Sequence, residues 1–137
     1  MNSKIFKTMV ITLVIISIVG IVALILVLNT GGDDKKPTID EQVENSIDTD
    51  EITTDLNDGG FVRIQFKIVT DSKEAKEELE KRSFQLNNIV IKELSKKDQE
   101  QFKTGIGNLE STLQTRLNEV MTEGKVTDVY TTQKVLQ

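Results

Sequence analysis

The chain has no cysteine and no histidine among its 137 residues, and each absence removes a body of chemistry. There is no thiol nucleophile, no imidazole general base and no Cys or His zinc site. No disulfide can staple the fold, and no lipidated cysteine can anchor it. Tryptophan is missing too, and one tyrosine and five phenylalanines make aromatics scarce. A pair of carboxylates, as in glycosidases, is still available. It needs a substrate cleft, which a domain of roughly 90 residues with few aromatics builds poorly. The composition therefore points away from an enzyme, and no catalytic residue, metal ligand or cofactor is expected.

Positive charge is also short. The chain has 17 Lys and Arg against 22 Asp and Glu. Setting aside Lys4 and Lys7 leaves 15 basic side chains against 22 acidic ones, a net charge of −7 for the rest. Nucleic acid is bound mainly by clustered Lys and Arg on phosphates, so no nucleic-acid partner is expected. Anionic lipid headgroups would repel such a domain as well.

What the chain does have is one uncharged run from Met9 to Leu28, rich in Ile, Val and Leu. About 20 such residues are enough to cross a bilayer once as a helix that satisfies its own backbone. A signal peptide has an apolar core of about 7–15 residues and a small-residue cleavage site. This run is longer and ends in Leu28-Asn29-Thr30-Gly31-Gly32, so an uncleaved anchor is expected. Residues 1–8 then form a short cytoplasmic leader, because Lys4 and Lys7 lie closer to the span than Lys35 and Lys36. Ser17, Gly20 and Ala23 recur every three residues within the span and mark a face on which another helix could pack closely.

Residues 29–50 are polar and acidic, with Gly31-Gly32, the single proline Pro37 and Glu41, Glu44, Asp48 and Asp50, so they are expected to be a flexible tether. Within it, Ile39, Val43 and Ile47 have the spacing of a helical turn that could meet a partner. The folded domain is then expected over 51–137, in the order β-β-α-α-β. Glu51 to Leu56 is β-prone, and Asn57-Asp58-Gly59-Gly60 supplies turn residues. From Phe61 to Val69, apolar Val62, Ile64, Phe66 and Ile68 alternate with Arg63, Gln65 and Lys67, the pattern of a half-buried strand. Asp71 or Ser72 caps one long helix, with Glu74 completing a capping box and Ala75, Leu79, Leu86, Val90 and Leu94 as its apolar stripe. Glu77 with Lys81 and Glu78 with Arg82 are supporting pairs four apart, on a charged run expected to be a solvated face.

A polar break over Ser95 to Gly107 precedes a second helix carrying Leu109, Leu113, Leu117, Val120 and Met121, which Gly124 is expected to stop in a left-handed cap. The β-branched tail from Lys125 to Gln137 is the last strand. Two short motifs carry no site. Asp55-x-Asn57-x-Gly59-Gly60 begins like a calcium loop, but Phe66 stands where its bidentate Glu belongs, and Gly105-Ile106-Gly107 lacks the rest of a phosphate loop. Arg63, Lys67 and Arg82 are the exposed candidates for subunit or partner contact.

The words Phe61-Val62-Arg63-Ile64-Gln65-Phe66-Lys67-Ile68, Ala75-Lys76-Glu77-Glu78-Leu79-Glu80-Lys81-Arg82 and Gly124-Lys125-Val126-Thr127-Asp128-Val129-Tyr130, with Val135-Leu136-Gln137 at the end, resemble the flagellar basal body-associated FliL family. The single span and acidic linker fit the same family. Thr131 and Lys134 stand where that family often has aromatics, so an aromatic contact at this end is not carried over. The resemblance implies an α+β, stomatin-like domain outside the cytoplasm. It also implies a non-enzymatic accessory that forms a homo-oligomeric ring beside the flagellar motor stator and supports rotation, swimming or swarming motility and chemotaxis. A general single-pass adaptor binding an envelope protein or ligand is the alternative that the residues alone leave open.

Overall fold

The computed structural model describes residues 2–30 and 36–137, with side chains over 2–26 and 36–137. Gly31, Gly32, Asp33, Asp34 and Lys35 of the expected tether lie outside the described residues. The chain divides into two compact units, Met1–Pro37 and Thr38–Gln137.

In the first unit the described residues form one helix, α1 (Ser3–Thr30), of which Ser3–Leu26 is long and apolar enough to cross a membrane. Three of its hydroxyls find partners inside the helix: Thr8, Thr12 and Ser17 donate to the carbonyls four residues back at 2.8, 2.9 and 2.9 Å. Over residues 9–26 the polar side chains are Thr12 and Ser17, both bonded within the helix, as a helix in hydrocarbon requires.

The second unit is α+β. Its central strand β3 (Phe61–Thr70) carries two collinear short strands, β1 (Ser46–Asp48) and β2 (Ile52–Asp55), along one edge and the long β4 (Val126–Leu136) along the other. All three pairings are antiparallel, with Ile47 opposite Ile68, Ile52 opposite Ile64 and Val129 opposite Ile68. The alternation expected from the sequence sets the faces. Val62, Ile64, Phe66 and Ile68 are at most 1% exposed and pack on Leu79, Leu86, Leu94, Leu109, Leu113 and Leu117 of the helical layer. Burying each such side chain contributes about 1.5–3 kcal/mol, so this interface is the main source of stability. Gly59, at φ +90°, makes the turn between β2 and β3, as the residue types there require.

The helices are α2 (Ile39–Glu44), α3 (Lys73–Lys81), α4 (Ser83–Ser95), α5 (Gln99–Thr104) and α6 (Ile106–Val120). Several expectations need correction. Residues 38–48 of the expected tether are ordered elements of the second unit. Thr38 and Glu41 form a capping box on α2, and β1 pairs with β3. The expected long helix is two helices, broken at Arg82 (φ −92°, ψ 16°). Between Leu79 and Leu86 the apolar stripe is interrupted, and Phe84 there is 70% exposed, so packing does not hold both halves on one axis.

The expected break contains α5. A capping box between Asp98 and Gln101 starts it, and Phe102, 2% exposed, pins it to the core. Ser72, accepting from the Ala75 N–H, is the cap of α3, whereas Asp71 accepts from the Lys125 N–H at 3.1 Å. Gly124 does not stop α6, which ends at Val120 with Met121 already extended. Gly124 instead lies in the turn into β4 at φ +154°, where a Cβ would meet Asp71 Oδ1 at 2.5 Å and the Ala75 Cβ at 2.7 Å. Within the second unit the order is thus α-β-β-β-α-α-α-α-β instead of β-β-α-α-β.

Candidate interaction surfaces

Alternation along β3 sends Arg63, Gln65 and Lys67 to the sheet face that the helices leave open. Phe61 and Tyr130, 56% and 48% exposed, stand on the same face. Its cations face carboxylates on the neighbouring strand edge. Lys67 Nζ lies 3.2 Å from Asp48, and Arg63 Nε lies 3.9 Å from Glu51, both pairs well open to solvent. Exposed pairs of this kind contribute about 0–1 kcal/mol, so they neutralise the face more than they stabilise it.

Arg82 is not brought to that surface. It sits at the α3–α4 junction with its guanidinium 3.0 Å from Glu78 and 2.9 Å from the Gln85 side-chain oxygen. Glu78, expected on a solvated face, is instead only 9% exposed. Its carboxylate accepts the Thr122 N–H at 2.8 Å, the Glu123 N–H at 2.8 Å and the Thr122 hydroxyl at 2.7 Å. These bonds fold the turn after α6 onto α3. The Glu123 N–H chiefly holds the Glu78 pKa down at about 2, against partial desolvation and with help from the Thr122 hydroxyl, the Thr122 N–H and Arg82. Spacing alone pairs Glu78 with Arg82; no sequence signal marks the turn 44 residues away as its main partner.

The third polar arrangement lies along β4. Val126 and Thr131 point their backbone groups away from β3, and side chains four apart on α6 meet them. Asn118 accepts from the Val126 N–H at 2.7 Å and donates to its carbonyl at 3.0 Å; Gln114 donates to the Thr127 carbonyl at 3.0 Å; Glu110 accepts from the Thr131 N–H at 2.6 Å. An open strand edge is a template for unwanted pairing, and here a helix closes part of it. Thr132 Oγ1 donates to the Gln65 carbonyl at 3.2 Å where the β3–β4 register shifts between Gln65 and Phe66.

In the span, Ser17, Gly20 and Ala23 are all exposed in the single chain, and a Cβ on Gly20 would meet nothing within 4 Å. Among the described residues no group of three or more carboxylates stands close enough to hold a metal ion.

Residues 46–137 match the family model described as flagellar basal body-associated protein FliL. The chain belongs to the FliL family. The match begins at Ser46, the first residue of β1, and so takes in the whole sheet and the helices α3 to α6. The chain is also similar to the Flagellar protein FliL of Bacillus subtilis (strain 168), 40% identical over 106 residues that cover 76% of each chain. FliL proteins are flagellar accessory proteins associated with the basal body.

Proposed function

We propose that this chain is a single-pass accessory of the flagellar motor that acts without catalysis. In this reading α1 crosses the cytoplasmic membrane with its amino end inside, and the stomatin-like unit over 38–137 stands outside. Copies of that unit assemble in a ring beside the stator and hold it in its ion-conducting, torque-generating state. Rotation, and with it swimming or swarming and chemotaxis, then depends on the ring.

The observation that carries the reading is the family match over 46–137 in a chain that also has a helix of membrane-crossing length. The remaining features agree with it. Lys4 and Lys7 flank the amino end of the span, as a cytoplasmic end requires. The acidic outer unit is repelled by anionic headgroups and so stands off the lipid. Each contact in a ring can be weak, because tethering in the membrane raises the effective concentration of every neighbour.

The test is localisation. A fluorescent fusion to the amino end is imaged in living cells whose flagellar hooks are labelled. Spots that coincide with the hook bases are expected; an even membrane stain in flagellated cells would overturn the motor reading and leave a general envelope adaptor.

A further inference from the structure

In a unit where acids outnumber bases, one groove goes against the trend. It lies between α4 and α6, has a volume of about 430 Å³, and has Ile89 and the 40%-exposed Ile91 among its lining. Lys92, Lys96 and Arg116 stand around it. Glu93 is already engaged by Lys96 at 3.2 Å and Arg116 at 3.6 Å, and Glu119 meets Arg116 at 3.5 Å. Three cations therefore face two carboxylates, with Lys92 unmatched by either.

The complementary shape is on the same chain. Helix α2 leaves Ile39 and Val43, four apart on one face, 71% and 53% exposed, and its only charges are Asp40, Glu41 and Glu44. The Thr38–Glu41 capping box holds it as a helix before any partner arrives, so docking costs little ordering. It is not seated in its own groove. The Asn45 carbonyl just after it accepts from the Thr70 N–H at 3.0 Å and from the Thr70 hydroxyl at 2.6 Å, which fixes α2 beside the end of β3.

We propose that α2 of one copy docks in the α4–α6 groove of the next, with Ile39 and Val43 on Ile91 and the α2 carboxylates against the basic rim. The contact is heterologous: each copy offers a helix at one place and a groove at another, so it repeats from copy to copy and closes into a ring if the rotation allows. It deepens the ring assembly proposed above and rests on it.

The chain has no cysteine of its own, so engineered thiols report the contact cleanly. The full chain is purified in a bilayer disc large enough for several copies, with Val43→Cys and Ile91→Cys together, and oxidised. A ladder of dimer, trimer and larger species on a non-reducing gel is expected, while each single variant gives no ladder. Adding Lys92→Glu should cut the ladder about tenfold, since a like charge then meets the α2 carboxylates. All substituted side chains are exposed, and an unchanged melting temperature checks that the fold is kept. No ladder in folded protein, or a ladder indifferent to Lys92→Glu, would overturn the interface. So would protection of Val43→Cys from maleimide by lipid alone, which would make the bilayer surface the occupant. Light scattering of the unaltered protein separates the two levels: an oligomer without the cross-link removes this interface but spares the ring, whereas a monomer removes both.

Discussion

Asn118 is the side chain whose removal tests most directly how the last strand is held. Val126 is 1% exposed, and Asn118 satisfies both its N–H and its carbonyl. In Asn118→Ala the carbonyl keeps a long contact with Gln114 at 3.4 Å, but the N–H is left with no acceptor in a buried place. Losing the bond to the carbonyl costs about 1 kcal/mol, and orphaning a buried donor about 1–3 kcal/mol. Ala returns roughly 0.5 kcal/mol of helix propensity, so the net loss is about 2–3 kcal/mol. For a folded unit of about 100 residues this lowers the melting temperature by roughly 10–20 °C. The assay is thermal unfolding of the full chain in mild detergent, followed by circular dichroism. Asn118→Asp keeps an acceptor for the N–H and should lose less. Thr115→Ala, on the exposed side of the same helix, should stay within about 0.5 kcal/mol of the parent. An Asn118→Ala variant as stable as Thr115→Ala would refute the reasoning, because water or a shifted strand would then be satisfying Val126.

Two further outcomes follow from the turn that joins α6 to β4. The Glu78 carboxyl titrates at about 2 in the folded chain against 4.5 when unperturbed, so its stabilisation is complete above about 4.5 and is lost as pH falls toward 2. The gap in melting temperature between the parent and Glu78→Gln should therefore shrink steadily over that window, and a gap that stays constant with pH would remove the carboxylate's role. Gly124→Ala should cost about 2 kcal/mol or more, because φ +154° and the 2.5 Å and 2.7 Å approaches of Asp71 and Ala75 leave no place for a methyl group; a neutral effect in the same melt would mean the turn moves freely.

The strongly periodic parts of the fold were legible in the sequence. β3 follows from strict alternation, α6 from its leucines at 109, 113 and 117, and the apolar span from length alone. The elements that were missed or under-read lie in polar segments. α2 and α5 are six residues each and bury little; the spacing of Ile39 and Val43 marks a helical turn at α2 but not its place in the fold, patterning passes over α5, and the capping boxes, Thr38 with Glu41 and Asp98 with Gln101, are the further readable signal. β1 has three residues, and what makes it a strand is the far end of β3, with Ser46 opposite Val69. No local window contains that information. The same distance effect governs the candidate residues: alternation places Arg63 and Lys67 on the open sheet face, but the fate of Arg82 depends on Glu78, whose other partners arrive from the turn at Thr122 and Glu123.

The polar side chains of the helical layer divide the surface into parts that can and cannot recruit partners by charge. Glu110, Gln114 and Asn118 are committed to β4, and Glu78 to the turn at 122–123, so none of them is available to a neighbour. On the open sheet face Lys67 and Arg63 are matched by Asp48 and Glu51, which leaves Phe61 and Tyr130 as the features a partner could grip. Recognition there would rest on shape and aromatic area and would change little with salt. The α4–α6 groove keeps unmatched positive charge, and the acidic α2 is its complement in sign. A contact between those two must weaken as ionic strength rises, because both lie at the solvent-exposed surface where screening is effective. Salt dependence therefore separates assembly through the groove from any association through the sheet, without knowledge of the partner.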